Sequence, residues 1–113
     1  KYLEMLALGS ALSSVQVLSA FQKDMPVGPV VSVMQRWYWD LMAVLSGAEP
    51  RYFPEHAEAY KRQAQGTDFQ KLVPFNQTLM QANRSKDHPL SKRLVLQDLF
   101  ITWAKTLADA RKN

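Results

Sequence analysis

Apolar residues recur at steps of three and four along Val27, Val30, Val31, Met34, Trp37, Tyr38, Leu41, Val44 and Leu45, with Ser32, Gln35, Arg36 and Asp40 between them. This spacing predicts one amphipathic helix, ended by Ser46 and Gly47. Pro26 and Pro29 fit its first turn, where backbone N–H groups have no intrahelical acceptor. Upstream, Leu8, Leu12, Val15, Leu18 and Phe21 form a second stripe, interrupted at Gly9 and Ser10. Residues 2–22 therefore read as one broken helix or two.

Downstream, Pro54 is suited to a helix start, and His56 to Gln65 reads as a short polar helix closed by Gly66. Thr67 or Asp68 caps a fourth helix with Leu72, Phe75, Leu79 and Ala82 on one face. Pro74 removes a backbone donor within it, which predicts a kink without a break. Asp87, His88 and Pro89 mark a boundary, because the residue before a proline disfavours helical geometry. The final helix, about residues 90–110, has Ser91, Asp98, Thr102, Lys105 and Asp109 as polar positions, with Lys92, Arg93 and Gln97 widening that face near its start. Most of its remaining surface is apolar, including Leu94, Phe100, Ile101 and Trp103. An arc this wide predicts burial on two sides, in the middle of a bundle or against another subunit. Strand signals are nearly absent. The expected fold is all-α, a single bundle of about five helices spanning residues 1–113.

With 113 residues and 47% hydrophobic content, the chain suffices for one compact domain with a core and is short for two. Apolar runs such as Leu41 to Leu45 fall far below the roughly 20 residues that cross a bilayer. The absence of Cys removes disulfides, thiolate nucleophiles and thiolate metal sites. The formal charge of +4 adds a question, since Arg84, Lys86, Lys92 and Arg93 gather around the loop before the last helix. They are either the phosphate-contacting patch of a helical nucleic-acid-binding module or solvated charges near helix ends. The chain begins with Lys1 and lacks a secretory-signal pattern, so a piece of a longer protein is expected.

Candidate chemistry is sparse. His56 and His88 are the only imidazoles, and neither has a His, Asp or Glu placed to complete a helical metal pair. Glu55 and Glu58 fit a helix N-terminus, where the dipole favours negative charge. No carboxylate dyad stands out, Ser13 and Ser14 lack a positioned base, and the four glycines do not form a phosphate loop. No catalytic, cofactor or metal residue is expected. Trp37 and Tyr38 continue the apolar stripe into the core, whereas Trp39 faces away and is a candidate for subunit contact. Asp40 is spaced four residues from Arg36, as for an exposed ion pair of about 0.3–0.5 kcal/mol. Arg51, Tyr52, Phe53 and Pro54 spend large aromatics where turn chemistry uses small polar residues. Those rings either cover the end of the bundle or meet another subunit. Trp39, Arg51, Tyr52, Phe53 and Trp103 make up the candidate interface.

The segment from Gln35 through the Gly47–Pro54 corner, together with His88-Pro-Leu-Ser-Lys-Arg-Leu-Val-Leu-Gln-Asp-Leu-Phe, resembles the C-terminal domain of the delta-prime subunit of the bacterial DNA polymerase III clamp loader. In that family a helix with a Trp-x-x-Asp-Leu pattern precedes a short loop, and an Asn-Pro-x-Leu-like turn opens a Leu-rich helix. The match spans most of residues 20–105; His88 in place of the commoner Asn, and Pro74, depart from it. The resemblance implies a bacterial cytoplasmic collar domain that binds other clamp loader subunits, delta and gamma/tau. Through them it would act indirectly on primed DNA and the sliding clamp, within a DNA-directed DNA polymerase holoenzyme. It implies no enzymatic activity for this domain, no cofactor, and no membrane or small-molecule partner. Trp37, Asp40, Leu41, Pro89, Leu90, Arg93 and Leu94 carry over as fold-defining positions.

Overall fold

The 19-residue helix α2 (Val27–Leu45) is the element against which most others pack. The computed structural model describes residues 2–9, 27–84 and 92–111. Helix α1 (Tyr2–Leu8) precedes α2; a 3-10 turn (Pro54–His56) leads into α3 (Ala57–Ala64), followed by α4 (Phe69–Leu72), α5 (Phe75–Arg84) and α6 (Lys92–Asp109). Among the described residues β pairing is limited to one isolated antiparallel bridge, Thr67 with Arg111. The architecture is an all-α bundle with a radius of gyration of 13.5 Å, near the roughly 13 Å of a compact chain of this size. No helix among the described residues is long and apolar enough to cross a membrane.

The apolar stripe of α2 produces its packing directly. Val27, Val30, Val31, Met34, Trp37, Tyr38 and Leu41 are buried, while Val44 and Leu45 are half-buried at the end. Helices α1, α3, α5 and α6 all touch α2. Its C-terminus closes as a Schellman motif: the Gly47 N–H donates to the Val44 carbonyl at 3.0 Å, and the Ala48 N–H reaches back to Ala43 at 2.8 Å. Gly47 has φ +89°, a conformation glycine adopts without side-chain strain. The chain thereby turns sharply out of α2 into the Pro50–Pro54 corner.

Pro74 does more than bend a helix. The helix stops at Leu72 and restarts at Phe75, although Val73 keeps right-handed helical dihedrals. The Asn76 N–H donates to the Val73 carbonyl over a three-residue step at 3.2 Å, and the Tyr38 hydroxyl donates to the Leu72 carbonyl at 3.0 Å. A core side chain from α2 thus satisfies a carbonyl that the interruption releases. Asp68 is the N-cap of α4, accepting the Gln70 N–H at 3.0 Å. Beyond the break, Leu72, Phe75 and Leu79 are buried as their spacing requires.

The wide apolar arc of α6 is used within the domain, where the helix touches α2, α4 and α5. Leu96, Leu99, Phe100, Trp103 and Leu107 are buried, and Ile101 is the exposed large apolar residue among those of α6 whose side chains are described. This overturns one expectation: Trp103 is 1% exposed and packs on Phe75 with ring centroids 5.0 Å apart. It is a core residue with no surface to offer a partner. Its indole N–H is buried without a hydrogen-bond acceptor. Pro89, Leu90, His88 and Lys86 lie outside the described residues, as do Leu12 to Phe21; Arg93 and Leu94 are placed in α6 by their backbone.

Candidate functional site

Adjacent residues on α2 organise two aromatic clusters. Trp37 meets Tyr60 of α3 with ring centroids 4.4 Å apart, His56 at 5.5 Å and Phe53 at 6.3 Å. Tyr38 meets Phe75 at 6.1 Å and Trp103 at 6.4 Å. Burial of both follows from the stripe, and each polar atom is satisfied: Trp37 Nε1 donates to Gln63 Oε1 at 3.0 Å, and the Tyr38 hydroxyl donates as described above. Gln63 also donates from Nε2 to the Leu6 carbonyl, so one amide ties α1, α2 and α3 together.

Asp40 does not form the expected exposed ion pair with Arg36. It is 1% exposed, three residues from Trp37 and on the side of α2 that faces the corner. Its carboxylate accepts the backbone N–H of Arg51 at 2.8 Å, of Tyr52 at 3.0 and 3.1 Å to its two oxygens, and of Phe53 at 2.8 Å. The Tyr60 hydroxyl donates to Oδ2 at 2.8 Å. Three consecutive amides and a phenol therefore surround one buried carboxylate, the arrangement that buried charge requires. The segment Arg51–Phe53 contains no small polar side chain to bond its own amides, so an outside acceptor has to supply that role.

Holding the backbone this way divides the corner's side chains. Phe53 is half-buried against Trp37 and caps the bundle end. Tyr52 is 45% exposed, with the Arg51 guanidinium carbon 5.9 Å from its ring centre. Trp39, next to Asp40, is 53% exposed and edge-on to Tyr38 at 5.7 Å. Of the five candidate contact residues, Trp39, Arg51 and Tyr52 are exposed, all close in the chain or by hydrogen bond to Asp40, while Phe53 and Trp103 turn inward. Among the described residues no group of His, Asp and Glu is placed to hold a metal, and His56 packs on Trp37. Of the basic residues near the last loop, Arg84 is exposed at the end of α5.

Burial and the neighbouring Asp40 carboxylate push the Tyr60 hydroxyl well above its ordinary value of 10.0, and burial raises Tyr38 as well. Both phenols stay protonated in the fold at pH values where the unfolded chain would ionise them. The folded state then binds more protons, so stability falls as pH rises above 10. The urea midpoint is expected to decline steeply on that side, and Tyr60→Phe to flatten the decline. An equal slope in the two proteins would exclude Tyr60 as a source.

Tyr60 and Gln63 were not legible as site residues, because α3 reads as a polar helix. Comparison with protein-family models, curated proteins and solved structures finds no match to this chain.

Proposed function

We propose that this chain is a noncatalytic assembly domain of a DNA polymerase III clamp loader subunit, of the collar type that its two motif segments resemble. The observation that carries the reading is the Asp40 corner, in which a buried carboxylate fixes a loop whose neighbours Trp39 and Tyr52 remain in water. Exposed aromatics on a backbone already ordered lose little freedom on binding, and Trp, Tyr and Arg are the residue types that dominate contact energies. The Trp-x-x-Asp-Leu pattern gains a physical meaning here: Trp37 and Leu41 are core, and Asp40 holds the corner.

In this reading the domain binds the delta and gamma/tau subunits in the bacterial cytoplasm, and reaches primed DNA and the sliding clamp through the assembled loader. Mixed with those subunits, the chain is expected to sediment as part of a larger species. Sedimentation as a free monomer at every subunit concentration would overturn the proposal.

A further inference from the structure

A cleft of about 320 Å³ opens where α1, α3 and the end of α6 meet, away from the residues of the Asp40 corner. Its apolar lining comes from Ala7, Leu8 and Leu107, and its charge from Arg62 and Arg111. Leu8 is 43% exposed there, an aliphatic surface left in water. The uncharged polar groups are already committed within the protein: Gln63 to Trp37 and Leu6, and the Thr67 hydroxyl to the Gln63 carbonyl.

The two guanidiniums are different. The ion pair among the described residues is Glu58 with Lys61, and among the described residues that line the cleft there is no Asp or Glu. Asp109 belongs to the neighbouring surface with Lys71. The backbone near Arg111 is held by its bridge to Thr67 and by the Asp68 N–H donating to the Ala110 carbonyl at 2.7 Å. Arg62 sits in the last turn of α3. Two fork-shaped donors on anchored elements favour a carboxylate, which accepts bidentate hydrogen bonds. The leucines beside them favour a hydrocarbon body attached to it.

We infer that this cleft binds the carboxylate of an aliphatic acid, with Arg62 and Arg111 on the anionic group and Leu8 and Leu107 on the hydrocarbon. The same chemistry is offered by a short fatty acid and by a peptide ending in an aliphatic residue. Octanoate and N-acetylleucine are the respective probes, with inorganic phosphate as the bare anion. Gln63 supplies a reporter, since it lines the cleft and accepts the Trp37 indole N–H, whose NMR signal can be followed.

Titration with at least one acid is expected to shift the Trp37 indole signal saturably and leave that of Trp103 in place. Response to octanoate alone assigns the fatty-acid source, and response to N-acetylleucine alone assigns the peptide terminus. Arg62→Gln and Arg111→Gln, both at exposed positions, are each expected to weaken binding about tenfold, as for loss of a charge-assisted hydrogen bond. The inference is overturned by the absence of a saturable shift with either acid. Binding unchanged in both arginine variants, or phosphate binding as tight as the better acid, would overturn it too.

Discussion

Asp40→Ala is expected to lower the unfolding free energy by about 3 kcal/mol, a large share of the roughly 5–15 kcal/mol that holds a domain together. The carboxylate accepts three backbone N–H groups and the Tyr60 hydroxyl. Its removal leaves the phenol buried without an acceptor and frees the corner to move. The amides of Arg51 and Tyr52 can turn to water, which limits the loss. Asp40→Asn is expected to recover little, because its amide group would aim a donor at donors. Urea unfolding with an unchanged slope reports the effect cleanly. A loss below about 1 kcal/mol for both substitutions, the size of an ordinary surface change, would show that the corner is held by something other than Asp40.

Trp37→Ala carries the other large effect, a loss of about 3–5 kcal/mol. The ring is fully buried and is surrounded by Phe53 of the corner, His56 of the 3-10 turn and Tyr60 of α3. Those elements are themselves tied down, Tyr60 and Phe53 by Asp40, so they cannot collapse freely into the space left. The Gln63 carbonyl oxygen also loses its indole donor. Trp39→Ala, two positions along the same helix, is expected to stay within about 0.5 kcal/mol of the parent because its ring is mostly in water. Thermal unfolding of the pair separates the two roles; similar midpoints for both variants would contradict the assignment of Trp37 to the core and Trp39 to the surface.

Periodicity made the helices and most of the core legible. The α2 stripe, the α5 face and the division of Trp37 and Tyr38 from Trp39 all follow from steps of three and four, because helical geometry converts spacing into direction. Contacts that depend on tertiary placement were not legible in this way. Asp40 looked like a solvent-facing residue because its charge suggested water, yet its position three residues after Trp37 sets it toward the corner. The visible clue was the corner itself, which has three amides in a row and no small polar residue to bond them. Tyr60 was hidden in a polar helix of eight residues, too short for its single buried turn to stand out. Trp103 belonged to an arc too broad to distinguish a neighbour within the domain from one outside it, and contact of α6 with α2, α4 and α5 accounts for that breadth.

The corner also reduces the proposed contact surface to residues that can be altered without unfolding the chain. Phe53 supports Trp37, so a charge there would disturb the core, whereas Trp39 and Tyr52 are exposed on a backbone fixed by Asp40. Sedimentation of the Trp39→Asp/Tyr52→Asp variant with the delta and gamma/tau subunits is therefore the decisive measurement, made alongside its unfolding midpoint. The expected result is loss of the assembled species with an unfolding midpoint close to that of the parent. Assembly equal to that of the parent chain would contradict the proposal that this corner is a subunit contact surface.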